Sequence, residues 1–229
     1  MKSLRKTAVI VGGLFIIALV FDIIGRGIYE PIIKAPDFLD ITYPNKLKVI
    51  VGILFEFICA PAILLIPIVL FPIFRKVNES LALGYVGFRA LEGILFIYMV
   101  INSLSIISLS QSYLNDTVIN TSYLITLGHS IHSQLEWTTL IYIIVFTLGA
   151  LMFYSLLFRS KLLPRFISIW GLIAASILLV FAVLGMLYVI PVANAMMYGG
   201  SLIALNEITL SIWLIIKGFN QPPIIPESK

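Results

Sequence analysis

The sequence is poor in charge and in cysteine, and each shortage excludes a class of protein. Only 11% of its residues are charged and 60% are hydrophobic, whereas a soluble domain carries about 25% charged residues. So few charged groups cannot cover a water-facing surface, and the composition therefore predicts an integral membrane protein. Cys59 is the single cysteine, which excludes a disulfide within the chain and any cysteine-based zinc site.

The basic residues do not form a patch, although the formal net charge is +4. They lie in short clusters at the ends of apolar runs, as the positive-inside rule describes for membrane proteins. A nucleic-acid-binding protein would instead carry a basic face or stripe. We therefore expect the lipid bilayer, and no nucleic acid, as the partner of this chain.

Six apolar runs predict an all-α, polytopic helical bundle. Each run reaches the ~20 residues needed to cross ~30 Å of hydrocarbon. The first run is too long for a signal peptide and no small-residue cleavage site follows it, so we interpret it as a retained span. A possible interfacial helix over 123–135 precedes the fourth run, and the whole of 1–229 is predicted as one integral-membrane domain. The predicted spans are 7–29, 47–74, 81–109, 136–158, 166–190 and 198–216.

The distribution of basic residues predicts that both termini are cytoplasmic. Only Lys34, Lys46 and Lys48 fall in segments that this orientation places outside. An excess of Lys and Arg in short cytoplasmic segments sets the orientation of multi-pass proteins. The basic residues on the predicted cytoplasmic side are Lys2, Arg5, Lys6, Arg75, Lys76, Arg159, Lys161, Arg165, Lys217 and Lys229.

The third run is unusual because Arg89 and Glu92 lie near its middle. A charge at the bilayer centre costs at least ~2.5–3.5 kcal/mol on insertion scales, so it is seldom kept without a partner or a task. One interpretation is structural: ion pairs such as Arg89 with Glu56 or Glu207 would tie helices together.

The excess of acids over bases in the spans favours a binding site over ion pairing alone. The acids are Asp22, Glu56, Glu92, Glu136 and Glu207, against the bases Arg26 and Arg89. Carboxylates without a basic partner must be protonated, solvated in a water-filled cavity or matched by a cation. The predicted ligand-binding residues are Asp22, Arg26, Glu56, Arg89, Glu92, Asn206 and Glu207.

A second candidate site lies just before the fourth predicted span. On a helix, the spacing of His129, His132 and Glu136 places all three on one face. Two imidazoles and a carboxylate could hold zinc and leave one position open for water. The alternative is an amphipathic interfacial segment whose histidines contact headgroups or water and respond to external pH.

Three stretches resemble one prokaryotic membrane-protein family. They are Leu70–Leu83 continuing to Phe88–Glu92, Leu157–Ser160 with Leu163–Arg165, and Trp213–Gly218. The family is the one catalogued as domain of unknown function 4386. The resemblance implies a six-span protein of a bacterial or archaeal cell membrane, and it implies no activity.

Three functions remain open from the sequence. The first is binding or transport of a small cationic or amphipathic molecule, or of protons, by a buried charged pocket that opens outward. The second is a membrane-embedded hydrolase of lipid-like substrates, with zinc as a possible cofactor. The third is a non-catalytic accessory or scaffold subunit, in which the buried charges only join helices.

Overall fold

The computed structural model describes residues 2–115 and 121–220, and within these ranges all regular secondary structure is helical. Lys229, which the sequence predicts to be cytoplasmic, lies outside the described residues. The elements are α1 (Lys2–Ile33), α2 (Phe38–Ile41), α3 (Lys46–Phe74), α4 (Glu79–Asn115), α5 (Thr121–Ser160), α6 (Arg165–Met186), α7 (Val192–Asn194), a π-helical segment (Ala195–Gly200) and α8 (Ser201–Ile216).

Six helical stretches are long and apolar enough to cross a membrane, so the predicted fold class is confirmed. Five of them are α1, α3, α4, α5 and α6. The sixth is formed by α7, the π-helical segment and α8 together. The prediction of one domain stays a prediction.

The predicted interfacial helix and the fourth span are one continuous helix in the structure. No break separates 123–135 from 136–158, because α5 runs through both. Its 40 residues correspond to a length of about 60 Å at 1.5 Å per residue. The beginning of α5 is held by packing, since Leu124, Gly128 and Ile131 are buried.

The last two predicted spans are also bounded differently in the structure. The predicted span 166–190 ends as a helix at Met186. The predicted span 198–216 is preceded by α7 and by a π-helical turn over Ala195–Gly200. Apolar runs show which residues enter the membrane, but they do not show where a helix widens from α to π geometry.

The start of α1 and the end of α8 lie at the same end of the bundle. The guanidinium of Arg5 donates to the carbonyl oxygens of Ile215, at 2.7 Å, and Ile216, at 3.0 Å. A cation there satisfies carbonyls that the end of a helix leaves without partners. The α5–α6 turn is at this end too, because the backbone N–H of Asn220 donates to Leu162 O at 2.8 Å. We call this the terminal end, and the opposite one, which holds α2, the distal end.

Within the described residues, two apolar clusters pack the bundle, one toward each end. The terminal cluster includes Phe74, Tyr85 and Phe153 and draws on α1, α3, α4, α5, α6 and α8. The distal cluster includes Phe38 and Phe96 and draws on α1 to α5. Among the described residues, the distal cluster takes none from α6, the π-helical segment or α8. Among these residues, the terminal cluster is therefore built from more helices than the distal cluster.

Glycines bring α1 into close contact with two different neighbours along its length. Near its start, a Cβ placed on Gly12 would lie 2.9 Å from the carbonyl oxygen of Ser211 in α8. Further along, a Cβ on Gly25 would lie 2.7 Å from the carbonyl oxygen of Gly52 in α3. Small residues permit such close backbone approach between membrane helices. The helix α1 thus approaches α8 closely at the terminal end and α3 closely toward the distal end.

Candidate functional site

A cavity of about 480 Å³ lies within the bundle. This volume falls within the ~300–1,000 Å³ typical of small-molecule sites. Most of its wall is apolar and aromatic, including Phe15, Phe96, Phe146 and Leu178. Its charged lining residues are Asp22 from α1, Arg89 and Glu92 from α4, and Glu207 from α8.

Arg89 lies at the centre of the charged part of this cavity. Its Nη1 atom donates to both carboxylate oxygens of Glu92, at 3.1 Å each. The two residues are three positions apart on α4, a spacing that brings side chains together on one helix. The Nη2 atom lies 4.0 Å from Oε1 of Glu207. The hydroxyl of Tyr142 donates to Glu92 Oε1 at 3.3 Å. We call Arg89, Glu92, Glu207 and Tyr142 the central cluster.

The guanidinium of Arg89 is also flanked by two rings. Its Cζ atom lies 5.5 Å from the ring centre of Tyr85 and 5.2 Å from that of Phe146, within the range of cation–π attraction. Among the described residues, the buried Arg89 Nε atom and the buried Tyr154 hydroxyl have no hydrogen-bond partner. Buried donors are normally paired, so these groups could still form hydrogen bonds with a ligand.

A second charged cluster joins α1 to α3. The Nε atom of Arg26 lies 2.9 Å from Asp22 Oδ1 and 3.2 Å from Glu56 Oε1. The hydroxyl of Tyr29 donates to the other oxygen of Glu56 at 2.8 Å. The guanidinium also reaches Glu30 at 3.8 Å. We call Asp22, Arg26, Tyr29, Glu30 and Glu56 the peripheral cluster. Except for Asp22, it does not line the cavity.

The structure brings four of the seven predicted ligand-binding residues to the cavity and places three elsewhere. Arg26 and Glu56 pair with each other behind the cavity wall. Asn206 donates from Nδ2 to Ile167 O at 3.0 Å and so joins α8 to α6. The four that line the cavity are Asp22, Arg89, Glu92 and Glu207.

The suggested pairing of Arg89 with Glu56 is wrong, because Glu56 pairs with Arg26. The cause is helix neighbourhood: the Gly25–Gly52 contact brings α3 against α1 at this depth. The other suggested partner, Glu207, lies 4.0 Å from Arg89. The closest partner of Arg89 is Glu92 on its own helix.

Sequence reasoning missed the two tyrosines that bond to the buried carboxylates. Tyr29 follows Asp22 by seven residues, so it lies on the helical face that also carries Arg26 and could have been found from that spacing. Tyr142 has no comparable signal, because no residue three, four or seven positions away from it is charged.

The predicted zinc ligands do not form a metal site. Within residues 2–115 and 121–220, no group of three or more His, Cys, Asp or Glu side chains is placed to hold a metal ion. The Nε2 atom of His132 lies 2.7 Å from Ile33 O, and since a carbonyl only accepts, this nitrogen donates. The His132 ring also lies 4.3 Å from that of Phe38, while Glu136 is exposed. His132 thus fastens α5 to the end of α1.

The cavity is not closed on all sides. Its exposed lining residues are Ile23 on α1, with 60% of its surface accessible, Met197 on the π-helical segment, with 56%, and Ser201 on α8. In contrast, the charged lining residues Arg89 and Glu92 are buried.

Six apolar helices around a charged cavity define a multi-pass membrane protein. A sequence model of the family described as "Domain of unknown function (DUF4386)" matches residues 10–218, and the chain belongs to this family. No curated protein and no solved structure matches the chain. The family description names no activity.

Proposed function

We propose that this protein binds a small amphipathic molecule that carries a cationic group, and that the central cavity is the site. The observation that carries the proposal is the charge of the lining. Three carboxylates, those of Asp22, Glu92 and Glu207, face the cavity together with one cation, that of Arg89. Opposite charge stabilises the ionised form of a buried acid, and a cationic ligand would supply it.

Glu207 is the carboxylate with most capacity left for a ligand. Arg89 is engaged at 3.1 Å by Glu92, whereas its distance to Glu207 is 4.0 Å. Asp22 already accepts from Arg26 at 2.9 Å. A positive group near Glu207 would therefore complete the weakest pairing in the cavity. Charges that are mostly buried, as the Glu207 side chain is, interact more strongly than charges in water.

The rest of the wall suits an apolar body. Phe96, Tyr142 and Phe146 line the cavity together, and aromatic faces attract cations as well as apolar groups. Uptake of a proton by Glu207 is the second form of the same proposal, since protonation also removes an unpaired charge.

We also propose that the terminal end faces the cytoplasm of a prokaryotic cell. In support, both described ends of the chain lie there, next to the basic residues Arg5, Arg75 and Lys76. Lysine and arginine near span ends favour the cytoplasmic side. The distal end, with α2, then lies outside.

The test compares two ions of similar shape and opposite charge. Tetraphenylphosphonium is an apolar cation, and tetraphenylborate is the matched anion. We expect the cation to raise the thermal unfolding temperature of the purified protein in nanodiscs, because a ligand that binds only the folded state stabilises it. Equal stabilisation by the borate, or none by either ion, would contradict the proposal, and the scaffold hypothesis would then lead.

The hydrolase hypothesis has no supporting contact in the described part of the chain. Its three candidate ligands are not gathered, and His132 is engaged with Ile33. The scaffold hypothesis is supported by one contact, because the peripheral cluster includes an ion pair between α1 and α3. That cluster does not account for the cavity, and so binding remains the better-supported function.

A further inference from the structure

We infer that the ligand enters the cavity sideways from the bilayer, through an opening between α1 and the π-helical segment, and is therefore a membrane-partitioned amphiphile with a cationic head. This inference rests on the proposed function and names its class of ligand. The side opening is defined by Ile23, Met197 and Ser201. These residues both line the cavity and are exposed.

The opening lies between two elements that are held apart by their other neighbours. Toward the distal end, α1 is drawn to α3 by the contact of Gly25 with Gly52. The π-helical segment is drawn to α6, since a Cβ on Gly199 would lie 3.0 Å from the Cα atom of Leu178. The main packing neighbours of the π-helical segment are α6, α7 and α8, and α1 is not among them.

Toward the terminal end the same side of the bundle is closed. There α1 and α8 meet at Gly12 and Ser211, and Arg5 bonds to the last carbonyls of α8. The two helices therefore diverge from a closed terminal end toward the distal end. The distal apolar cluster, which draws on α1 to α5 among the described residues, does not fill the gap.

The depth of the opening places it against lipid chains. Ile23 precedes the end of α1 at Ile33 by ten residues, or roughly 15 Å of helix. The neighbouring exposed side chains, Val20, Ile24 and Tyr198, are apolar or aromatic. An exposed apolar rim at this depth is solvated by hydrocarbon, and a ligand that passes it must be soluble in the bilayer.

The composition of the π-helical segment suits a gate at this position. Met196, Met197 and Gly200 line the cavity, and a Cβ on Gly200 would meet nothing within 4 Å. Methionine side chains adapt their shape easily. Turns of π-helix occur frequently at functional sites.

The first part of the test concerns the opening and needs no bound ligand. Ile23→Cys is made in a Cys59→Ala background, which removes the native thiol. In nanodiscs, the new thiol is treated with pyrenyl maleimide, which partitions into lipid, or with a charged maleimide that stays in water. We expect reaction with the lipid-soluble reagent at least 10-fold faster than with the charged one. Faster reaction with the charged reagent, or with neither, would overturn the side opening.

The second part measures access to the cavity. Radiolabelled tetraphenylphosphonium is the probe, and Ile17→Cys is the matched control because it is exposed on the same helix and does not line the cavity. Attachment of pyrene at position 23 should slow association and dissociation of the probe by at least 10-fold, with the equilibrium affinity changed by less than 3-fold. The same label at position 17 should change neither rate.

The outcomes separate the two proposals. If the probe does not bind the unlabelled Cys59→Ala protein or the native protein, the proposed function fails while the maleimide result still decides the opening. If the probe binds and the label at position 23 leaves both rates unchanged, the function stands and entry from the bilayer is wrong.

Discussion

Arg26 and Arg89 both lie inside the predicted spans, and their surroundings differ. Arg26 contacts the carboxylates of Asp22 and Glu56 at 2.9 and 3.2 Å and lies 3.8 Å from that of Glu30. Glu56 accepts a further hydrogen bond from Tyr29. Arg89 is bonded to one carboxylate and lies 4.0 Å from a second, that of Glu207.

The comparison shows that a buried charge can be fully paired by protein groups in one part of the bundle and left open to a ligand in another. The peripheral cluster is completed by protein groups and lies where α1 and α3 touch through glycine. The central cluster faces a cavity and includes one buried donor without an acceptor, Arg89 Nε. Polar groups that the protein leaves incompletely paired at membrane depth mark candidate functional sites.

Removal of the central cation should have the largest effect on stability. Arg89→Leu leaves Glu92 and Glu207 without a cation, and breaking a buried pair in this way costs about 3–5 kcal/mol. The free energy of unfolding in mixed micelles of dodecyl maltoside and dodecyl sulfate measures this loss. The control is Arg26→Leu, which should cost less than half as much, because the Arg26 side chain is 21% exposed against 4% for Arg89 and Tyr29 remains bonded to Glu56. Equal losses would remove the distinction between the clusters.

Removal of the Tyr29 and Tyr142 hydroxyls should also distinguish the two clusters, by a smaller difference in unfolding free energy. Tyr29→Phe removes a 2.8 Å hydrogen bond to Glu56, and a hydrogen bond to a charged group contributes about 1.5–3 kcal/mol. Tyr142→Phe removes a 3.3 Å bond to Glu92, which is long for a hydroxyl donor, and should cost less than about 1 kcal/mol. The same unfolding measurement compares them. A larger loss for Tyr142→Phe would show that the central cluster is the tighter one.

A methyl group at the α1–α3 contact should loosen the peripheral cluster alone. In Gly25→Ala the new Cβ would lie 2.7 Å from Gly52 O and 2.9 Å from Glu56 Cγ, so α3 must shift. Overpacking of this kind costs about 1–3 kcal/mol. Gly27→Ala on the same helix is the control, since its Cβ meets nothing within 4 Å and alanine favours helix. We expect unfolding free energy to fall for Gly25→Ala and to stay level or rise for Gly27→Ala; the reverse order would refute the contact.

The sequence was sufficient for the fold class, because long apolar runs have few alternatives in a bilayer. It also located the charges that line the cavity, since Arg89, Glu92 and Glu207 stand out in apolar surroundings. It did not predict which charges pair. Glu56 joins Arg26 because of which helices are neighbours, and this depends on contacts between glycines far apart in the chain.

The predicted metal ligands are not gathered in the structure, for a similar reason. The spacing of His129, His132 and Glu136 places them on one face of a helix, but it does not say what lies opposite. In the structure the end of α1 lies there, and Ile33 O accepts a hydrogen bond from Nε2 of His132. The sequence did predict a buried charged pocket, but one that opens outward. The side opening that we infer has no signal in the sequence, because it depends on how α1 and the π-helical segment diverge.

The most direct test of the account is the affinity of tetraphenylphosphonium for two variants in nanodiscs. Glu207→Gln removes a carboxylate that lines the cavity, and Glu56→Gln removes one that is buried outside it. We predict that Glu207→Gln weakens binding at least 10-fold and that Glu56→Gln changes it by less than 3-fold. Equal effects of the two variants, or a larger effect of Glu56→Gln, would contradict the division into a closed structural cluster and an open binding cluster.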